Sequence, residues 1–236
     1  MRVIVVDDER LARKELISLL EAFESVEIVA EATNGDEAFE LISKEDPDVV
    51  FLDIQMPGMT GFEVLEKLES VPQVVFTTAY DEFALKAFEV NALDYLLKPI
   101  QADRLAECVN KIDLKPNKKL SKNKKLCDDD QVFVKDGDKC WFVRLADVRL
   151  FESDGNYIKV YFDTFKPMIH KSLNALDEKL DDRNFFRASR KHIINLTWIE
   201  KIDTWFNGGL LVELKGGEKI EVSRRQSARF REMMSL

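Results

Sequence analysis

The chain has 236 residues, of which 45% are hydrophobic and 33% charged, enough for a sizeable core and for two domains. No apolar run reaches the roughly 18 residues that a membrane helix needs, and the N-terminal segment lacks the apolar core of a signal peptide, so we expect a cytoplasmic protein without membrane insertion. Three cysteines without a CxxC pair and two distant histidines argue against a disulfide framework or a metal site built from cysteine and histidine.

The net charge of −9 is divided unevenly along the chain. Residues 1–114 carry 10 basic and 25 acidic side chains, whereas residues 115–236 carry 25 basic and 19 acidic ones. The stretch 115–130 has six lysines and few apolar residues, which is typical of a linker because it has little to bury. We therefore predict an acidic domain at 1–114, a Lys-rich linker at 115–130 and a basic domain at 131–236, for which nucleic acid is a partner to consider.

Strand-like and helix-like patterns alternate five times in the acidic half. Apolar runs rich in Val, Ile and Leu are followed by segments in which apolar residues recur at helical spacing. The predicted strands are VIVVDD, EIVAEA, DVVFLDI, QVVFTTAY and DYLLKP, and the predicted helices are RLARKELISLLEAF, DEAFELISK, GFEVLEKLES, EFALKAFEV and ADRLAECVNKI. Five such units predict an α/β fold with a doubly wound parallel five-stranded sheet, whose functional groups gather beyond the carboxyl ends of the strands.

Polar side chains stand at the predicted carboxyl ends of these strands. Asp7 and Asp8 follow the first strand, Asp53 the third, Thr78 the fourth and Lys98 the fifth. Each one alone has a structural explanation, since aspartate caps helices, threonine is common in strands and lysine is usually solvated. Together, converging carboxylates repel one another unless a cation lies between them, and an oxygen-only set beside one lysine favours Mg²⁺.

Four stretches in the acidic half, VVDDE, LDIQMPGMTG, FTTAY and DYLLKPI, resemble in order and spacing the receiver domain of two-component response regulators. The resemblance implies that Asp53 is the phosphoacceptor. It also implies that Asp8, Asp53 and the backbone carbonyl of Gln55 bind Mg²⁺, with Asp7 supporting the metal through water. A sensor histidine kinase is then the implied source of the phosphoryl group.

The same resemblance assigns further residues to the response to phosphorylation. Thr78 would contact the phosphoryl oxygens, and Lys98, before a cis peptide to Pro99, would pair with their charge. Tyr95 would turn inward with Thr78 as the face built from residues 81–112 rearranges, although a half-buried strand aromatic is an alternative explanation of Tyr95. Such a two-state face predicts a homodimer on phosphorylation.

The basic half has the pattern of a mostly β domain. Short runs rich in Val, Ile, Phe and Tyr are bounded by turns such as DGD, DGN, NGG and KGG, with a short helix at SLNALDEKL and a basic helix at RRQSARFREMM. The sequence of this half contains no helix-turn-helix, zinc-finger or P-loop pattern. Any contact with DNA is therefore predicted to come from loops.

Four stretches of this half, FESDGNYIKVY, KSLNALDEKL, FFRASRKHIINL and LKGGEKIEVSRRQSARF, resemble the LytTR DNA-binding domain. The resemblance implies binding to promoter DNA, on repeated half-sites for a dimer. The predicted DNA-binding residues are Asn156, Tyr157, Lys159, Arg187, Arg190, Lys191, Arg224 and Arg225. Arg190 and Arg224 are the predicted base readers, because arginine can bond a guanine edge twice. A solvated rim of the β-sheet is the alternative for each of them.

The sequence thus predicts a phosphorylation-dependent transcriptional response regulator that modifies only its own Asp53. Two other functions stay open: a phospho-regulated protein-binding module, in which the β domain binds a protein, and an aspartyl-phosphate phosphohydrolase. The phosphohydrolase needs a second catalytic carboxylate, and the position two residues after Asp53 carries Gln55 instead.

Overall fold

A computed structural model describes residues 1–79, 94–112, 125–137 and 139–234 of the chain. The chain divides into two compact units, each with its own hydrophobic core. The first unit consists of Met1–Lys124, Gln131–Phe133 and Gly137–Phe142, and the second of Lys125–Asp130, Val134–Asp136 and Val143–Leu236. Of the helices in the described residues, none is long and apolar enough to span a membrane.

The first unit contains a parallel five-stranded sheet in the order β2-β1-β3-β4-β5, which confirms the predicted fold class. Its strands are β1 (Arg2–Val6), β2 (Glu27–Ala32), β3 (Val49–Asp53), β4 (Gln73–Thr78) and β5 (Asp94–Leu97). The helices described around it are α1 (Arg10–Leu20), α2 (Gly35–Glu45), α3 (Gly61–Lys67) and α4 (Ala102–Lys111). The predicted helix EFALKAFEV lies outside the described residues.

This sheet is buried on both faces. Alternate residues of each strand point to opposite sides, so that Ile4 packs with α2 and α3 on one face while Val5 packs with α1 and α4 on the other. Burial on both sides explains why β3 is an uninterrupted apolar run until Asp53. Polar side chains therefore come together only where the strands end.

The loop from β3 to α3 returns very close to the strand end. Gly61 N donates to Ile54 O at 2.9 Å, and a Cβ on Gly61 would lie 2.4 Å from the backbone oxygen of Asp53. A capping box starts the helix, because Thr60 Oγ1 accepts from Glu63 N and Glu63 Oε2 accepts from Thr60 N. The loop that begins at Asp53 is thus held at both ends.

The domain that follows is mostly β-structure, as predicted. The second unit contains a five-stranded sheet, β10-β9-β8-β12-β11, and a three-stranded sheet, β13-β14-β15. A two-stranded hairpin, β6-β7, comes before them in the chain. The elements are β6 (Gln131–Asp136), β7 (Lys139–Arg144), β8 (Val148–Asp154), β9 (Tyr157–Phe162), β10 (Met168–Ile169), α5 (Leu173–Lys179), β11 (Phe185–Arg187), β12 (His192–Asn195), β13 (Ile199–Thr204), β14 (Leu210–Leu214), β15 (Lys219–Val222) and α6 (Arg224–Met234).

The end of the predicted linker is part of the second unit. Leu126 is buried, its N–H donates to Lys179 O at 2.7 Å, and its carbonyl accepts from Asp181 N at 2.8 Å. Leu126 also forms an isolated β-bridge with Leu180. The prediction assigned Leu126 to the linker because the residues around it are rich in lysine. Residues 113–124 lie outside the described residues, and the boundaries 1–114, 115–130 and 131–236 stay predictions.

Gly61→Ala is expected to lower the free energy of unfolding by about 1–3 kcal/mol, because the new Cβ would overlap the Asp53 carbonyl and press on Leu52. Urea unfolding measures this change. Gly58→Asn is the matched control in the same loop: nothing lies within 4 Å of a Cβ at Gly58, and asparagine tolerates its φ of +83°. Equal stability of Gly61→Ala and the wild type would contradict the close approach.

Candidate functional site

The predicted carboxylates converge at the ends of β1 and β3. These strands are adjacent and parallel, with Val6 opposite Leu52, so the residues that follow them meet at one edge of the sheet. Ligand oxygens of Asp7, Asp8 and Asp53 all lie within 4.8 Å of one another. Asp7 and Asp53 are buried and Asp8 is exposed, which leaves one carboxylate of the cluster accessible to solvent.

Lys98 brings a cation into this acidic cluster. Its Nζ lies 2.6 Å from Asp53 Oδ2 and 2.8 Å from Asp7 Oδ2. Its backbone N–H donates to Thr78 O at 2.8 Å, which ties the ends of β4 and β5 together, and the peptide bond from Lys98 to Pro99 is cis. Three carboxylates beside one ammonium leave an excess of negative charge, which suits a bound divalent cation.

Burial and the ion pair act in opposite directions on Asp53. Burial raises the pKa of the Asp53 carboxyl, while Lys98 and the Gln55 N–H at 3.1 Å lower it without cancelling the effect of burial. For the Lys98 ammonium, burial lowers the pKa, and hydrogen bonds to Asp53 and Asp7 more than offset this, so the pKa is raised. Lys98 therefore stays charged at neutral pH.

These two shifts have opposite consequences for stability. Because the folded state holds the Asp53 proton more tightly than the unfolded chain, ionisation of Asp53 opposes folding as pH rises above 3.8, the ordinary pKa of an aspartate. The contribution of Lys98 is fully present below 10.5 and is lost as pH rises through its raised pKa. Across the neutral range, Lys98 therefore keeps its charge beside Asp53.

Arg13 supports the cluster from α1 and was not among the predicted site residues. It is buried, its Nη1 donates to Asp7 O at 2.7 Å, and its Nε pairs with Glu31 at 3.1 Å. The sequence signal was a charged residue in register with the buried Leu16 and Leu20 of the same helix. A buried arginine at such a position needs acceptors, and here one of them is the backbone that carries the acid.

Thr78, Tyr95 and Gln55, three further predicted site residues, differ in how far they are buried. Thr78 is completely buried at the end of β4, and Tyr95 is buried in the core on the α2 and α3 face of the sheet. The side chain of Gln55 is exposed, and its backbone N–H contacts Asp53. Part of the predicted two-state face, residues 81–93, lies outside the described residues.

A second candidate site lies at one edge of the second unit, where three loops meet. Ser153 N donates to Lys191 O at 2.8 Å, which joins the β8–β9 turn to the β11–β12 loop. Ser223 N donates to Ala188 O at 3.0 Å, which joins that loop to the start of α6. We call residues 154–157, 188–191 and 223–225 the three-loop edge.

Most predicted DNA-binding residues are on this edge. Those that are exposed there are Asn156, Tyr157, Arg190, Lys191, Arg224 and Arg225. Lys159 lies on β9 and pairs with Asp154 at 2.5 Å. Within the described part of the chain, Arg190, Arg224 and Arg225 have no carboxylate partner, so their charges are available to an anionic molecule.

Arg187 is used inside the unit. Its guanidinium donates to the backbone oxygens of Ser189 at 2.7 Å, Leu173 at 2.8 Å and Arg190 at 2.8 Å, and to Asn174 Oδ1 at 3.2 Å. These bonds hold the β11–β12 loop against the start of α5. Arg187 thus positions the loop that carries Arg190, and direct contact of Arg187 with DNA stays a prediction.

A polar network under the three-loop edge was also missed from sequence. Ser189 Oγ lies 3.1 Å from His192 Nδ1, and His192 Nε2 lies 3.6 Å from Glu152 Oε1. The other carboxylate oxygen of Glu152 accepts a hydrogen bond from the Tyr161 hydroxyl. Burial lowers the pKa of His192 and Glu152 offsets part of this, so the imidazole is neutral at pH 7. A polar residue at a strand start gives no sequence signal for such a network.

Lys98→Met is expected to raise the pKa of Asp53 further above its ordinary value, because the ammonium that lowers it is removed. Carbon-13 NMR titration of labelled aspartate, assigned with Asp53→Asn, measures the pKa. Lys111→Met is the matched control, since Lys111 pairs with Asp94 at 3.0 Å and not with Asp53. An Asp53 pKa that is the same in Lys98→Met and the wild type would contradict this pairing.

Arg187→Met is expected to lower the free energy of unfolding by about 1–3 kcal/mol, because it leaves partly buried acceptors without a donor. Denaturant unfolding checks this expectation. Arg183→Met removes the same charge from a side chain that is 84% exposed and pairs with Asp181, so it should lower the free energy of unfolding less than Arg187→Met does. A larger loss for Arg183→Met than for Arg187→Met would contradict the structural role of Arg187.

Known proteins resemble both halves of the chain. Residues 3–110 match the response regulator receiver domain, and residues 138–235 match the LytTr DNA-binding domain. The sensory transduction proteins LytT of Enterococcus faecalis and Bacillus subtilis are 35% and 32% identical to this chain, over 100% of both chains in each case. The response regulatory domain of mrkE from Klebsiella pneumoniae is 36% identical, and the match covers 48% of this chain and 94% of that chain with a TM-score of 0.44. The full-length similarity and the order of the two domains show that the chain belongs to the response regulators that join a receiver domain to a LytTr DNA-binding domain.

Proposed function

We propose that Asp53 receives a phosphoryl group in a reaction that depends on Mg²⁺, and that the phosphorylated protein dimerises and binds promoter DNA. The observation that carries the proposal is the cluster of Asp7, Asp8 and Asp53 with the partly buried ammonium of Lys98. A sensor histidine kinase is the proposed phosphoryl donor. The protein would turn over no substrate other than its own aspartyl phosphate.

The donor atoms of the cluster fit Mg²⁺. Mg²⁺ prefers carboxylates, carbonyls and water, and the cluster of Asp7, Asp8 and Asp53 contains neither cysteine nor histidine. Asp8, Asp53 and the backbone carbonyl of Gln55 would hold the ion, with Asp7 supporting it through water. Bound there, Mg²⁺ would neutralise charge on the transferred phosphoryl oxygens.

The chain's own residues account for the rest of the transfer. An ionised Asp53 needs no general base, so its carboxylate oxygen can attack phosphorus directly while the bond from phosphorus to the donor nitrogen of a phosphohistidine breaks. Lys98 stands 2.6 Å from the attacking carboxylate, in reach of the incoming phosphoryl oxygens. The loop held between Asp53 and Gly61 fixes the position of the nucleophile.

Phosphorylation would then disturb a balanced set of charges. It adds about one to two negative charges at a site whose nearest cation is already shared by Asp53 and Asp7. We assign the response to Thr78, next to this site on β4, and to Tyr95 on β5. The dimer would form through the face 81–112, which includes residues outside the described ones.

The three-loop edge is the proposed DNA-binding surface. Arg190 and Arg224 would read bases, and the other contacts of the edge and of β9 would come from Asn156, Tyr157, Lys159, Lys191 and Arg225. Residues 131–236 carry 19 basic and 16 acidic side chains, a small excess that gives one domain a weak hold on DNA. A dimer on repeated half-sites makes the second contact intramolecular and strengthens binding.

Asp53→Asn is expected to abolish labelling by a small-molecule phosphoryl donor, because the amide lacks the nucleophilic oxygen, and removal of Mg²⁺ by EDTA should do the same to the wild type. Incorporation of radiolabelled phosphate measures the reaction. Asp36→Asn, at an exposed acid of α2, should be labelled like the wild type. Undiminished labelling of Asp53→Asn would refute the assignment of the phosphoacceptor.

Arg190→Ala and Arg224→Ala are each expected to weaken binding to duplexes that the wild type selects from a random library, by about 1–3 kcal/mol. Fluorescence anisotropy measures the affinity with and without the phosphoryl donor. Arg183→Ala is the charge-matched control, because Arg183 lies before β11 whereas Arg190 lies after it. This variant should bind DNA normally. Normal binding by both test variants would refute the assignment of DNA contacts to Arg190 and Arg224.

A further inference from the structure

Two aromatic side chains are exposed together at the turn between β13 and β14. Trp205 is 38% exposed and Phe206 is 76% exposed. The value for Phe206 is the largest among the large apolar residues that the structure describes. Their ring centroids lie 4.9 Å apart with an angle of 68° between the planes. Because burying one such ring stabilises a protein by about 1.5–3 kcal/mol, this aromatic pair is a strong candidate for contact with another molecule.

The turn holds the aromatic pair in a defined position. Trp205 N donates to Gly209 O at 2.9 Å, and Gly209 N donates to Phe206 O at 3.1 Å. Gly208 has a φ of +79°, which lets the turn close within the few residues available. A contact surface that is already ordered loses less entropy on binding than a mobile loop.

The aromatic pair is a neighbour of the three-loop edge. β14 pairs with β15, with Leu210 opposite Val222, so the turn lies beside the residues that lead into Arg224. The turn residues Phe206–Gly208 also pack against α6. Adjacent strands are about 4.8 Å apart, so a duplex touched by Arg224 is within side-chain reach of the pair.

The surroundings of the pair indicate the chemistry of its partner. Arg190, Arg224 and Arg225 are exposed and have no carboxylate partner among the described residues, which favours a polyanion. The rings themselves favour an apolar surface and gain nothing from a phosphate. Duplex DNA offers both within a few ångströms, because the apolar faces of sugars and base edges lie beside the phosphates.

We propose that Trp205 and Phe206 form an apolar wedge that packs against deoxyribose and base edges of duplex DNA, next to the groove entered by Arg224. The inference rests on the DNA-binding function proposed above and adds a contact that carries no charge. Such a wedge strengthens binding without displacing counterions, and it favours DNA that bends at the contacted step.

Salt dependence separates this contact from the arginine contacts. The probe is a duplex selected by the wild type from a random library, titrated with the wild type, Phe206→Ser, the double variant Trp205→Ser with Phe206→Ser, and Arg224→Ala over a series of salt concentrations. Phe206→Ser should bind about tenfold more weakly, with an unchanged slope of log affinity against log salt. Arg224→Ala should reduce that slope by about one.

The matched control is Phe165→Ser. Phe165 is also exposed, at 42%. It lies beyond the C-terminal end of β9, whereas Tyr157 of the three-loop edge lies at the N-terminal end, so Phe165→Ser should leave the affinity for DNA unchanged. If the double variant binds DNA as tightly as the wild type while Arg224→Ala binds more weakly, the proposed wedge is wrong and the proposed function stands. Failure of the wild type to select any duplex would overturn both. Thermal unfolding of each variant confirms that the comparison is made between folded proteins.

Discussion

Two buried carboxylates share one partly buried ammonium at the carboxyl edge of the parallel sheet, and the chemistry proposed for the first unit depends on this arrangement. The Lys98 ammonium compensates negative charge on both Asp7 and Asp53, and an uncompensated buried charge costs several kcal/mol. The pairing links β1 and β3 to β5, with Asp8 at the solvent side. A covalent change at Asp53 therefore has to alter the contacts of Lys98 as well.

The support of this cluster comes mainly from backbone. Lys98 N bonds to the end of β4, Gly61 brings the next helix against the Asp53 carbonyl, and Arg13 holds the Asp7 carbonyl. Each contact leaves the carboxylate oxygens themselves available. This arrangement suits the phosphoacceptor role proposed for Asp53, since the acid must be fixed in position and still be reached by a donor.

In the second unit, the three-loop edge is built from three separate segments of the chain. Its three loops are far apart in the chain and are joined edge to edge by single backbone hydrogen bonds, so the spacing of Arg190 and Arg224 is set by the sheets beneath. Arg187 and the network around His192 fix the central loop from inside. The aromatic pair adds apolar groups beside the three-loop edge, so charged and apolar side chains are exposed next to each other.

The fold class and the acidic cluster could be predicted from the amino-acid sequence, because parallel strands with polar residues at their carboxyl ends bring those residues to one edge of the sheet. The sequence also located the exposed basic residues of the three-loop edge. Sequence could not distinguish Arg187, which bonds internally, from Arg190, which does not, nor could it reveal the burial of Arg13 and Leu126 or the exposure of Phe206. Periodicity reports which face of its own element a residue occupies. Only the pairing of elements distant in the chain decides which neighbour covers that face, and this is a property of the tertiary structure.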